Sequence, residues 1–176
     1  MELTHRVATP EDLGMLEALM DAAISELQQG FLSPEEIESS RAIMGIDTQL
    51  IADRTYYVVL AGRAVAGCGG WSRRATMYGG DHTPGRDPEL LDPAVDAARV
   101  RAMYTHPAYA RRGVGRLILS LCEQAAKKEG FTRLELMGTL SGEPLYTAYG
   151  FAPVERLTDD RGGVAVPLVK MAKRID

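Results

Sequence analysis

His106-Pro107-Ala108-Tyr109-Ala110-Arg111-Arg112-Gly113-Val114-Gly115-Arg116 follows a strand-like run, Ala97 to Thr105, and opens a stretch with apolar residues at Val114, Leu117, Ile118, Leu121, Cys122 and Ala125. Those offsets put a wide apolar stripe on one face of a helix. Lys127 and Lys128 fall in its last turn, and Gly130 ends it. Arg111 to Arg116 therefore sit at a helix N-terminus, where the first N–H groups lack intrahelical acceptors and the dipole favours negative charge. Gly113 and Gly115 keep bulk away, and Arg111, Arg112 and Arg116 add donors, so the segment reads as a pocket for a phosphate or pyrophosphate. It is not a dinucleotide fingerprint: G-x-G-x-x-G requires a third glycine where Ile118 stands. No Gly-Lys-Ser or Gly-Lys-Thr occurs, which excludes the other common phosphate loop. Without a ligand, the segment would be a glycine turn with its arginines in solvent.

Outward from this loop the chain alternates between strand and helix signals. Leu3 to Ala8 reads as a strand. Thr9-Pro10-Glu11-Asp12 starts a helix reaching about Gln28, and Ser33-Pro34-Glu35-Glu36 starts a second. Residues 55–73 form a hairpin turning at Ala61-Gly62-Arg63, with Gly67, Gly69 and Gly70 marking a bulge or a close backbone approach. Residues 75–96 read as a long loop, either functional or mobile. After the central helix come a strand from Phe131 to Met137 and a short helix at 142–149 stopped by Gly150. Strands at Ala152–Leu157 and Val164–Lys173 follow, joined by Asp159-Asp160-Arg161-Gly162-Gly163. The order is βααβββαβαββ, an α/β chain whose hairpins demand a mixed, α+β type of sheet.

Composition narrows the function. A chain of 176 residues with 45% hydrophobic and 25% charged residues fits one domain, 1–176, with one substantial core. The net charge of −4 and the lack of a dense basic run exclude nucleic-acid binding as its main role. No apolar run is long enough for a membrane span, and the N-terminus lacks a signal-peptide core. Cys68 and Cys122 read as buried free thiols of a reducing, cytoplasmic compartment, and no metal-ligand spacing occurs.

The basic pair followed by Gly113-Val114-Gly115 resembles the acyl-CoA pyrophosphate loop of the GNAT superfamily of N-acyltransferases, Q/R-x-x-G-x-G/A, with Ala110 at the Gln/Arg position. Leu145-Tyr146-Thr147-Ala148-Tyr149-Gly150-Phe151 resembles that family's Y-x-x-x-G-F segment. The resemblance implies a twisted mixed sheet whose fourth and fifth strands splay to admit a pantetheine arm. It implies acetyl-CoA as cofactor, bound by the backbone of Met103, Tyr104 and Thr105 and by Arg111, Arg112, Gly113, Val114, Gly115 and Arg116, with Thr139 where relatives often place Asn. Tyr146 would be the general acid; read without the resemblance, it is a core aromatic. A homodimer is also compatible with the family.

Acetyl transfer to an amine requires a deprotonated amine, donors for the developing oxyanion and a proton for the departing thiolate. Many relatives place Glu near Arg99, and arginine cannot serve as a base. Arg99 and Arg101 could clamp an anionic group of a substrate, or pair with Asp92 or Asp96. Asp81, His82, Asp96 and Glu135 are the candidate bases, and His106 reads as a turn cap. The leading expectation is an N-acetyltransferase for a primary amine of a small molecule. The alternatives are a non-catalytic acyl-CoA-binding module and a protein N-terminal or lysine acetyltransferase.

Overall fold

In the computed structural model, which describes residues 2–176, β1 (Leu3–Val7) leads through a 3-10 turn (Pro10–Asp12) into α1 (Leu13–Glu26), α2 (Pro34–Ser40) and α3 (Thr48–Ala52). Then follow β2 (Tyr56–Ala61), β3 (Ala64–Ser72), β4 (Ala98–Thr105), a 3-10 turn (Pro107–Tyr109), α4 (Val114–Lys128), β5 (Arg133–Thr139), α5 (Glu143–Tyr149), β6 (Ala152–Asp159) and β7 (Val166–Arg174). The helix α3 is an addition to the order read from sequence, too short to display a helical period. Asp47 caps it by accepting the Gln49 N–H at 3.0 Å. The two expected helix starts form for the expected reasons. Ser33 and Glu36 exchange a capping box. Before α1, the Asp12 carboxylate accepts the Thr9 N–H at 2.8 Å and a two-pronged bond from Arg6.

The strands form one sheet in the order β1-β2-β3-β4-β5-β7-β6. All neighbours are antiparallel except β4 and β5. On one face α4 buries Val114, Ile118, Leu119, Cys122 and Ala126 against Trp71, Leu134, Leu136 and Met171. Its apolar stripe is therefore turned from the one read in sequence, with Leu117 and Ala125 at the edge of that core. The other face holds Leu16, Leu19, Met20 and Ala23 of α1 against Tyr56, Val58, Cys68 and Tyr104. The glycines of β3 explain the close approach of α4. A Cβ on Gly67 would stand 2.5 Å from Val114 Cγ1, and one on Gly69 2.9 Å from Ile118 Cγ2. Cys68 and Cys122 are buried free thiols; burial pushes Cys68 up to about 12 and raises Cys122 as well.

Two irregularities shape the middle of the sheet. β4 and β5 pair only at Ala98–Leu134 and Arg99–Glu135, and beyond that point they part. The β3–β4 register slips between Cys68 and Gly70, and Ala102 takes φ 51° at the resulting bulge. The 73–97 segment is an ordered excursion with its own backbone bonds, Ala75 to Glu89, Thr76 to Asp87 and Leu91 to Arg73. It is tied to the β6–β7 turn by Tyr78, which donates to Asp159 Oδ2 at 2.7 Å, and by Arg161, which donates to the Pro84 carbonyl. From the other side Ser39 of α2 donates to the Val164 carbonyl and accepts the Val164 N–H. No helix among the described residues is long and apolar enough to cross a membrane.

Candidate active site

The parting of β4 and β5 opens a groove. Val100 and Met103 line it from β4, Met137 and Thr139 from β5, and Tyr146 from α5. At its entrance His106 caps the 3-10 turn by accepting the Ala108 N–H at Nδ1, 3.0 Å. Arg111 (φ 63°) and Gly113 (φ 87°) then swing the chain into α4. The first helical bond is from Leu117 N–H to the Gly113 carbonyl. Among the described residues, the amides of Arg111, Arg112, Gly113, Val114, Gly115 and Arg116 find no acceptor. The side chains of Arg111, Arg112 and Arg116 are exposed and form no ion pair among the described residues; Arg116 lies over the Tyr149 ring, 5.5 Å from its centroid. A run of free amides beside uncompensated arginines is a cradle for a compact polyanion.

The two glycines of this loop do different work from that read in sequence. Gly113 supplies a left-handed φ in open surroundings. A Cβ on Gly115 would collide with Leu145, so this glycine lets α5 pack against α4, rather than clearing room for the anion.

Along β4, His106 donates its N–H to Ala66 of β3 at 2.8 Å. Strand alternation then turns the backbone polar groups of Thr105 and Met103 away from β3, toward the gap. The Tyr104 side chain packs toward α1, and its hydroxyl accepts the Gly45 N–H at 2.9 Å. Thr139 accepts the Gly142 N–H at 3.3 Å and contacts Ser141 Oγ at 3.2 Å.

Tyr146 is buried at the base of the groove. A Cβ on Gly138 or Gly142 would meet its ring at 3.3 and 2.9 Å, so the ring lies against bare backbone on both sides. Phe151 packs edge-on at 6.1 Å. The Tyr146 hydroxyl has no partner among the described residues, and burial pushes its pKa up to about 12. It keeps its proton throughout the neutral range.

The groups read as substrate clamps or bases are placed otherwise. Arg99 donates to Glu135 at 2.9 Å, and Lys170 approaches the other oxygen at 3.4 Å, so Glu135 is held between two cations. Arg101 is 3% exposed and donates to Asp47 at 2.8 Å, to the Gly79 carbonyl at 2.6 Å and to the Thr76 carbonyl at 3.4 Å. Both arginines are thus committed inside the protein, to Glu135 and Asp47 rather than to Asp92 or Asp96. Asp96 instead accepts the Asp92 N–H. Asp81 accepts the Thr48 N–H and pairs with Arg86, and His82 bonds the Arg41 carbonyl at 2.7 Å through Nε2. None of Asp81, His82, Asp96 and Glu135 lines the groove.

The far wall of the groove was not legible in the sequence. It consists of Ile43, Met44 and Gly45 after α2, Met77 and Tyr78 of the excursion, and Leu168 of β7. Arg101 grips the carbonyls of Thr76 and Gly79, on either side of Met77 and Tyr78, and so sets this wall. The only sequence signal for its anchor was Asp47-Thr48 as a cap for α3.

The splayed sheet, the free-amide loop and the tyrosine beneath the gap define an acyl-CoA type of transferase fold. The family model described as "Acetyltransferase (GNAT) family" matches residues 16–151, and the chain belongs to this family. A GCN5-related N-acetyltransferase from Rhodopseudomonas palustris is similar over 99% of this chain and 96% of its own, with 18% identity and a TM-score of 0.73. The PaiA N-acetyltransferase of Thermoplasma acidophilum, solved in complex with coenzyme A, is similar over 99% of both chains, with 17% identity and a TM-score of 0.65. YncA of Salmonella typhimurium, solved with acetyl-CoA, is similar over 100% of this chain and 95% of its own, with 16% identity and a TM-score of 0.67. No curated protein matches the chain.

Proposed function

We propose that the chain, as one domain over residues 1–176, transfers an acetyl group from acetyl-CoA to a primary amine of a small molecule. The run of free amides from Arg111 to Arg116, opening onto the gap between β4 and β5, carries this reading. Solved relatives hold coenzyme A or acetyl-CoA. The loop amides, with Arg111, Arg112 and Arg116, bind the diphosphate. The backbone of Met103 and Thr105 pairs with the pantetheine amides in place of a neighbouring strand, and Thr139 faces the arm from β5. The bulge at Ala102 re-aims the adjoining backbone toward the thioester oxygen.

When bound, acetyl-CoA supplies the activated acyl group. A C–N bond forms and a C–S bond breaks, and the proton lost by the amine ends on sulfur. Tyr146 holds its proton at the hydroxyl oxygen, donates it to the departing sulfur and is restored by the proton lost from the amine, so the net transfer is from amine to sulfur. Small-molecule selectivity follows from the far wall, where Ile43, Met44 and Gly45 between α2 and α3, together with the excursion, cover the acceptor side of the groove.

The test is calorimetric titration with coenzyme A, followed by thiol release from acetyl-CoA in the presence of amines. Binding that weakens with added salt, with amine-dependent thiol release, is the expected result. Binding without release for any amine would leave an acyl-CoA-binding module, and absence of binding would remove the assignment altogether.

A further inference from the structure

The residues lining the groove include no Asp, Glu, His, Lys or Cys. Met44, Met77, Met103 and Met137 line it, half of the protein's 8 methionines. Ile43 and Leu168 add aliphatic surface. Methionine walls are adaptable and apolar, suited to varied hydrophobic shapes rather than to a fixed set of hydrogen bonds. The one charged lining residue is Arg101, whose guanidinium is saturated by Asp47, Gly79 and Thr76. Its other charged neighbour is Arg86, which pairs with both Asp47 and Asp81, so two arginines and two aspartates compensate one another beside the groove. Three tyrosines complete the ring of titratable groups. Tyr78 donates a hydrogen bond to Asp159, backed by Arg161; Tyr104 accepts the Gly45 N–H; Tyr146 has no partner among the described residues. Burial raises all three, so they stay neutral in the physiological range.

An alkylammonium entering this space loses water and meets no carboxylate. Both effects favour its neutral form. Glu135, the candidate base on β5, is paired with Arg99 and Lys170. We infer that the acceptor is a weakly basic amine on an apolar or aromatic body, taken up uncharged, and that its deprotonation is achieved by exclusion of the ammonium rather than by a protein base. The inference rests on the acetyltransferase reading and deepens it. Amines carrying a carboxylate or a second cation are excluded for the same reason. A carboxylate finds Arg101 already occupied, and a cation finds no partner.

The experiment uses the intact protein with acetyl-CoA and a panel of amines. Aromatic and benzylic amines of graded basicity are compared with diamines and free amino acids, and thiol release is measured from about pH 6 to about pH 9.5. Apolar amines of low basicity are expected to have the highest kcat/KM at neutral pH, at least about tenfold above the diamines and amino acids. For each more basic amine, kcat/KM should rise about tenfold per pH unit and level off at the pKa of that amine, so that the break moves with the substrate. A break at one fixed pH for every amine would reveal a protein base and overturn the inference. A preference for diamines or amino acids would overturn it too, leaving the acetyltransferase reading intact. If coenzyme A binds but no amine releases thiol, the transferase reading fails and the inference falls with it.

Discussion

The ring of Tyr146 fits where it does because Gly138 and Gly142 carry no side chains, and its hydroxyl has no partner among the described residues. A tyrosine so enclosed can be truncated by one oxygen with little effect on packing. Tyr146→Phe is expected to lower kcat on the order of 10²-fold while leaving coenzyme A affinity nearly unchanged, measured by steady-state thiol release and calorimetry. Retention of full rate would remove Tyr146 from the chemistry. Arg101 and Asp47 form a contrasting pair, with side chains 3% and 1% exposed. Breaking one partner leaves a buried charge uncompensated. Asp47→Asn should therefore cost about 3–5 kcal/mol in denaturant unfolding, whereas joint replacement by Asp47→Leu and Arg101→Met should cost less than the two single changes summed.

Between elements, the contact of α4 with α5 depends on a missing methyl group. Gly115→Ala drives a Cβ into Leu145 and should destabilise the fold by about 1–3 kcal/mol. Pairing it with Leu145→Ala removes the clash, so the double variant should be more stable than the sum of the single effects, as read from thermal or denaturant melts. The junction of β1 and α1 is controlled by charge. The two-pronged hydrogen bond from Arg6, aided by the Thr9 N–H, lowers the pKa of Asp12 to about 2. A carboxylate depressed in the folded state contributes stability above its ordinary value of 3.8 and loses it as pH falls toward about 2. Asp12→Asn should therefore lower the melting temperature at neutral pH, and its curve should converge with that of the parent in strong acid. Equal differences at every pH would refute the ionic origin.

Over the whole molecule, what could be read from sequence was what is local. The helix caps at Thr9 and Ser33, the hairpin turning at Gly62 and the glycine loop before α4 each write their signal within a few neighbouring residues. Pairings that close the site do not. Arg101 meets Asp47 across 54 residues and Tyr78 meets Asp159 across 81, and no spacing rule links such partners. For that reason the arginines of β4 looked available for a substrate, and the methionine wall stayed hidden among scattered single residues. The stripe of α4 was legible as amphipathic, but its rotation depended on the bare surface of β3.

The end of β6 and the turn into β7 fasten both segments behind the far wall of the groove, α2 through Ser39 and Val164, and the excursion through Tyr78 with Asp159 and Arg161 with Pro84. Residues 160–163 would pass for a disposable surface connection. Their length instead sets the spacing of the anchor points at Asp159 and Val164, so an inserted residue should loosen both attachments and broaden the range of amines admitted, as read from thiol release.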